Sequence, residues 1–338
     1  MLQNNNLEYS DYQFPSFNAA LFVEQIFNIN KNTSIIPGIR AEHISTNANG
    51  SYNDVIYDLA GNAIFDSIYS EERNRKRNFF IMGIGIQHKI KGDSLMIYSN
   101  LTQNYRGINF TDMQIINPNF RIDPDLEDER GFNFDLGAKG FIGDKLYWDA
   151  SIYALFYNNR IGTIIQVDTT LFNTYQYRTN VSRSLTLGFE GILHYKWLDK
   201  KMKSTAFINY SYSYGKYLQE DNFRDNNFVE LVPPVNYKTG FDLSYNKFEL
   251  AYQFSWTHWH YSDASNSLAQ PNAVNGIIPS YYVMDVSIKY QIEQLRLGFG
   301  VNNLTNQSYF TRRAVSYPGP GIIPSAPRNF FFSLGIKM

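Results

Sequence analysis

Two adjacent arginines, Arg312 and Arg313, sit in a turn-rich stretch between Tyr309 and Tyr317, and their planar guanidinium forks suit carboxylate-rich or otherwise anionic ligands. The two tyrosines would shape that loop, while Pro318, Gly319, Pro320 and Gly321 read as plain turn chemistry. His258 and His260 lie two apart with Asp263 following, a spacing open to a metal pair; without a further ligand, loop or interfacial chemistry is the favoured reading. Asp123, Asp125, Glu127, Asp128 and Glu129 form an acidic cluster that lacks the glycine of a calcium-binding loop, so a solvated charged loop is expected. Arg73, Arg75, Lys76 and Arg77 form a basic run suited to surface phosphates or to plain solvation. No glycine-rich nucleotide motif and no nucleophile elbow is present.

Composition narrows the classes these groups could serve. Lys plus Arg is 30 and Asp plus Glu is 31, a net charge of −1 that gives no support for a nucleic-acid partner. The sequence contains no cysteine, which removes disulfides, thiolate metal sites and cysteine nucleophiles. Aromatic residues make up 17% of the chain, 26 of them Tyr and 26 Phe, yet mean hydropathy is −0.36. Many aromatics in a polar chain are what a membrane barrel needs: an apolar outer face with aromatic girdles, and a polar lumen and loops. No run of about 18 apolar residues appears, so a transmembrane helix is not expected, whereas a closed barrel also satisfies its backbone in lipid. The N-terminal residues carry neither the basic nor the apolar region of a secretory signal, which an outer-membrane protein needs for export.

The elements that must position these groups are strands. Period-two alternation recurs along the whole chain and predicts thirteen of them: 17–29, 33–45, 78–90, 95–105, 131–142, 146–160, 184–197, 203–216, 237–245, 248–258, 282–292, 295–302 and 328–338. Phe132, Phe134, Leu136 and Ala138 oppose Asn133, Asp135, Gly137 and Lys139; Phe330, Phe332, Leu334 and Ile336 oppose Phe331, Ser333, Gly335 and Lys337. Asp135, Lys139, Glu190, Glu249, Asp285, Lys289 and Arg296 would then face a watery lumen. Connections alternate between turns of two to five residues and long polar loops at 46–77, 106–130, 161–183, 217–236, 259–281 and 303–327. That is the layout of an outer-membrane barrel, with short turns periplasmic and long loops extracellular. With the C-terminus in the periplasm, thirteen strands leave residues 1–16 outside as the remnant of an extracellular loop. Bacterial barrels of this kind close with an even number of strands, so the expectation is the C-terminal part of a larger barrel.

A resemblance adds to this. Ile36-Pro37-Gly38-Ile39-Arg40-Ala41-Glu42-His43-Ile44, Asn117-Pro118-Asn119-Phe120-Arg121-Ile122-Asp123-Pro124 and Glu127-Asp128-Glu129-Arg130-Gly131-Phe132-Asn133-Phe134 carry it, together with the closing run Val301-Asn302-Asn303-Leu304-Thr305-Asn306-Gln307-Ser308-Tyr309-Phe310-Thr311-Arg312-Arg313, Tyr317-Pro318-Gly319-Pro320-Gly321 and Arg328-Asn329-Phe330. With these the chain resembles the C-terminal β-barrel of TonB-dependent outer-membrane receptors, and looks closest to the ferric-citrate transporter branch found in Bacteroidetes-like bacteria. The resemblance implies an all-β, antiparallel, 22-stranded transmembrane barrel of which this chain holds the last thirteen strands. It also implies an N-terminal plug that contacts TonB, and a last strand, here ending in Met338 rather than an aromatic, that the barrel insertion machinery reads. The function implied is energised uptake of a ferric chelate, ferric citrate or siderophore-like, with no covalent chemistry and no cofactor. Arg312, Arg313, Tyr309 and Tyr317 are then the expected ligand contacts, and lipopolysaccharide the partner of the basic run. The alternatives are a passive or structural outer-membrane barrel without a plug, and an outer-membrane hydrolase.

Overall fold

The computed structural model describes residues 10–336 apart from 59, 91–93, 110–111, 113–119, 169–172, 219–225, 269–272 and 315–320. Its elements in chain order are β1 (Ser10–Gln13), β2 (Ser16–Glu24), β3 (Phe27–Asn28), β4 (Thr33–Tyr57), β5 (Ala63–Ile90), β6 (Leu95–Arg106), β7 (Phe120–Ile122), β8 (Glu129–Ile142), β9 (Leu146–Asp168) and β10 (Asn173–Asp199). They continue with β11 (Met202–Tyr217), β12 (Val235–Tyr245), β13 (Phe248–Thr257), β14 (His260–Tyr261), β15 (Ile277–Ile278), β16 (Tyr281–Ile292), β17 (Leu295–Asn302), β18 (Phe310–Ala314), β19 (Gly321–Pro324) and β20 (Asn329–Ile336).

One antiparallel sheet runs in sequence order from β1 through β4, β5, β6, β8, β9, β10, β11, β12, β13, β16 and β17 to β20, with β2 and β3 continuing β1 along the same edge of β4. The wall therefore has thirteen ribs, one for each predicted strand. The first rib, expected as one strand over 17–29, is broken into three pieces that start at Ser10, so part of the expected loop remnant is strand. Among the described residues β20 and β1–β3 do not pair with each other, and the sheet has two open edges. No helix is long and apolar enough to cross a membrane.

The faces follow the alternation. Phe132 pairs with Phe156 across β8 and β9, Leu136 with Ile152, and Phe189 with Ile152 across β9 and β10. Phe132, Leu136, Ile152 and Phe189 stay exposed, as do Phe330 (65%) and Phe332 (69%), so the protein presents a continuous apolar outer surface that water would not tolerate and hydrocarbon would. The opposite face is polar and knitted together. Tyr98 Oη donates to Asp149 Oδ1 at 2.8 Å, Asn100 Nδ2 to Asp135 Oδ1 at 2.9 Å, and the hydroxyls of Tyr153 and Ser213 are 2.7 Å apart. Arg296 Nη2 lies 3.9 Å from Glu249 Oε1, and Asp285 Oδ1 accepts from the Asn303 N–H at 2.9 Å, which puts the expected inward charges on one face.

Two glycines on this inner face are needed for close approach. Gly137 and Gly188 lie directly opposite Tyr98 and Tyr153 on the neighbouring strands, and the tyrosine rings fold over them; a Cβ at either glycine would run into the ring. An aromatic laid over a cross-strand glycine restores the packing that the missing side chain forfeits. At the short turns the chain reverses through left-handed residues, Asn246 (φ 52°) and Glu293 (φ 51°), as two-residue hairpins require.

The expected loops 46–77 and 161–183 are largely strand instead. β4 and β5 stay paired from Thr33–His88 up to Tyr57–Ala63, and β9 and β10 up to Asp168–Asn173. No regular alternation marks these extensions: backbone pairing carries the hairpins beyond the apolar belt, and Ala48, Ile161, Ile164 and Val181 are buried there by loops rather than by a continuous apolar face.

Candidate functional site

The long-loop end of the wall carries two braced clusters and the predicted ligand loop. The first cluster gathers around two carboxylates. Glu129, fully buried, receives Arg106 Nη1 at 2.9 Å, Arg160 Nη1 at 3.2 Å and the Ile161 N–H at 3.0 Å. Asp112, also buried, receives Arg106 Nη2 at 3.0 Å and Arg178 Nε at 2.6 Å. Asp128 accepts from Tyr105 Oη and from the Ile108 N–H at 2.8 Å, with Arg77 Nε at 3.3 Å. Ala48, Ile108, Phe120, Ile122, Leu126 and Ile161 pack beside this network as a small apolar core, and β7 adds to β10 in parallel.

This corrects the expectation of a solvated acidic loop. Glu129 is buried and Asp128 partly so, and the two are partners of arginines from three different strands; Asp123 accepts from Thr179 Oγ1, and only Asp125 and Glu127 are exposed. The basic run is divided likewise: Arg77 turns inward and donates to Thr46 Oγ1 (2.9 Å) and the Ile108 carbonyl (3.1 Å). One signal for the brace was present in the sequence. Arg106 and Glu129 are direct cross-strand partners at the ends of β6 and β8, and continued alternation puts both on the inner face. Asp112 and Arg178, 66 positions apart, carried no such signal.

The second cluster packs Ile164, Val181, Tyr217, Val229 and Ala264 under the loops after β11 and β13. Tyr217 Oη donates to Glu230 Oε2 at 2.6 Å. Burial raises the Glu230 carboxyl above its ordinary range and, with that carboxylate beside it, raises the Tyr217 phenol as well. Burial also raises Asp263, whose Oδ1 takes the Ser267 hydroxyl at 3.1 Å while Oδ2 is buried without a partner. His260 is buried and held below its usual value by that burial, with Nδ1 3.2 Å from the His258 carbonyl oxygen. His258 is 3.0 Å from the Trp259 carbonyl oxygen, and no group of three metal-ligating side chains occurs among the described residues.

The predicted ligand residues fare unequally. Tyr309 stacks on Tyr281 with ring centroids 4.8 Å apart, and Arg312 stands exposed without a hydrogen bond or ion pair among the described residues. Arg313 is turned away from it. Its Nη1 donates to the Ala273 carbonyl at 2.6 Å and its Nη2 to the Ile277 carbonyl at 2.8 Å, so its fork braces the loop before β16. Burial lowers its pKa from the usual guanidinium value. The two arginines therefore do not form one clamp, and Tyr317 lies outside the described residues. Below the loops the inner wall holds a cavity of about 360 Å³ lined by Tyr98, Asp149, Glu190, Asn209, Ser211 and Lys238, a polar surface facing the space the wall curves around.

A sequential antiparallel wall with an apolar outside, a hydrogen-bonded polar inside and folded loops at one end defines the class of transmembrane β-barrels. Within it, residues 2–304 match the family described as TonB dependent receptor-like, beta-barrel, and the chain belongs to that family. Among solved structures it is similar to the ferric yersiniabactin uptake receptor FyuA from Yersinia pestis (14% identity, TM-score 0.72, 97% of this chain and 46% of that one). The ferric citrate transporter FecA in its unliganded form is also similar (15%, TM-score 0.67, 97% and 55%), as is the copper transporter OprC (17%, TM-score 0.68, 96% and 50%). The chain spans about half the length of these structures, and at such identities the likeness is one of fold. No curated protein sequence matches it.

Proposed function

We propose that this chain is the C-terminal barrel wall of an outer-membrane receptor that takes up a ferric chelate, citrate-like or siderophore-like, by TonB-dependent transport. The observation that carries the reading is the thirteen-ribbed wall itself, apolar outside and polar inside, in a chain whose family is that of TonB-dependent receptor barrels. Two open edges in hydrocarbon would leave rows of backbone groups unpaired, so the working wall is completed by further strands and encloses the plug through which TonB acts. Short turns face the periplasm and the braced loops face outward, where ligand is captured. Because Arg313 is committed to two carbonyls, capture by the last loop rests on Arg312 and Tyr309, with Tyr317 as a further contact.

The test is uptake of ⁵⁵Fe-labelled citrate by cells whose only iron receptor is the complete barrel containing this chain. The expected outcome is uptake that requires TonB and weakens several-fold on Arg312→Ala. Iron entry that persists without TonB would point instead to a passive pore, and affinity unchanged by Arg312→Ala would remove the last loop from ligand capture.

A further inference from the structure

Strands β5 and β6 part before either of them ends. They are laddered from Ile90–Leu95 up to Gly83–Thr102, and no further among the described residues. Above that point β5 stays paired with β4 as far as Tyr57–Ala63, and β6 with β8 as far as Arg106–Glu129. Two well-laddered halves of the wall therefore face each other across a seam that side chains bridge. The Met82 N–H donates to Gln103 Oε1 at 3.0 Å, a side-chain acceptor where the next ladder bond would fall. Above it the rings of Phe79 and Tyr105 stack with centroids 3.7 Å apart. These two residues belong to opposite faces of the wall. Phe80, Met82 and Ile84 are the exposed lipid-side residues of β5, which sends Phe79 and Ile81 toward the lumen. Tyr105 shares a face with Gln103, whose cross-strand partner is the exposed Phe132. The stacked rings thus run through the wall rather than along it. Tyr105 Oη donates to Asp128, and Arg77 closes the top of the seam on the Ile108 carbonyl at 3.1 Å. A cavity of about 250 Å³ fills the seam, with Phe80 and Phe132 toward lipid and Phe79, Ile81 and Asn104 toward the lumen.

We propose that this seam is a side passage for the alkyl tail of an amphiphilic ferric chelate. The iron-bearing head lies in the lumen while the tail leaves between β5 and β6 into the outer leaflet. Phe80 and Phe132 are exposed members of the apolar belt, so the outer mouth opens onto hydrocarbon, and the Phe79 and Tyr105 rings give the tail apolar walls on its way there. A tail left in the watery lumen would forfeit the burial of every methylene it carries. A ladder would forbid the crossing, because opening it strands backbone N–H and C=O groups in lipid. A seam held by one glutamine and two rings opens by rotamer changes instead. A membrane lipid alone has no need of it: its chains lie along the belt without reaching the luminal Phe79. The inference rests on the receptor reading above and adds an alkyl tail to the ligand.

The test uses cells whose only iron receptor is the complete barrel containing this chain. The probes are two synthetic ⁵⁵Fe-labelled citrate dihydroxamates that differ only in carrying dodecanoyl or acetyl groups. The double variant Phe79→Cys with Tyr105→Cys, in a chain with no cysteine of its own, is compared with itself before bridging by ethanediyl bis-methanethiosulfonate, after it, and after release by reductant. Heat-modifiable migration on gels confirms that the variant is folded in all three states. Bridging is expected to weaken uptake of the dodecanoyl chelate about tenfold, the equivalent of returning two methylenes to water, and to leave the acetyl chelate unchanged. Reductant should restore the dodecanoyl uptake. An equal loss for both chelates would overturn the proposal, since the seam would then matter only to the working of the wall. No loss for either would overturn it too, leaving a gap that beds a membrane lipid chain. Uptake of neither chelate by the wild type would overturn the receptor reading and the tail with it, so the two failures give different results.

Discussion

Strand β10 runs through two different environments. From Leu185 to Trp197 it alternates, with Leu187, Phe189, Leu193, Tyr195 and Trp197 exposed on the outside and Glu190 and His194 on the other face. From Asn173 to Ser184 the same strand has no such rhythm. There Arg178 reaches Asp112, Asn180 donates to the Glu127 carbonyl at 2.9 Å, and Val181 is buried under the loop cluster. In the belt each residue's surroundings are set by one bit of information, inside or outside. At the rim they are set by partners 50 to 70 positions away, and charges are buried that the belt would expel.

Four changes probe that contrast. Glu129→Ala leaves Arg106 and Arg160 without their shared buried carboxylate, and is expected to cost about 3–5 kcal/mol of rim stability. Hydrogen exchange should then rise sharply at Ile108 and Ile161 while the belt strands stay protected. Exchange rising equally in both halves would show that rim and belt are one cooperative unit. Phe134→Arg places a charge on the lipid face and is expected to cost about 2–4 kcal/mol in a folding titration into bilayers, an effect absent for the same substitution at Asn133, on the inner face. Gly188→Ala pushes into the Tyr153 ring and should destabilise by about 1–3 kcal/mol; adding Tyr153→Ala should relieve most of the clash.

The smallest expected effect is a pH dependence confined to the rim. Burial raises Glu230, so its folded carboxyl binds a proton more readily than the unfolded one. Its contribution to stability is complete below the unfolded pKa and is lost as pH rises through the folded value. Asp263 is shifted the same way, whereas His260 is lowered and works against acid, because its neutral folded form loses stability as pH falls through the unfolded pKa. Glu230→Gln should therefore stabilise the loops after β11 and β13 at neutral pH and make no difference in acid, as read by protease cleavage of those loops. An equal gain at both pH values would separate the effect from Glu230 ionisation.

All thirteen ribs and the short turns that join them in pairs were legible in the sequence, because burial of one face by lipid imposes period two on every strand that crosses it. The extensions of β4 with β5 and of β9 with β10 were not, since what they bury, Ala48, Ile161, Ile164 and Val181, is set by loops folded over them rather than by one continuous apolar face. The arginine pair shows the same limit at the site. Sequence chemistry singled out Arg312 and Arg313 together, yet adjacency on a strand sends neighbours to opposite faces, and Arg313 fills a bonding role toward carbonyls 36 and 40 positions away.

What the sequence determined alone was the all-β wall, its two faces and its family, all of them consequences of local alternation and of motifs contiguous in the chain. Only the tertiary structure decided which charges are braces and which are exposed. Glu129 and Asp112 are neutralised by arginines from other strands, while Arg130 and Arg312 stand without ion pairs among the described residues. The reason is physical: an ion pair forms where three-dimensional register brings opposite charges together out of water, and register between distant segments is not written in any one of them.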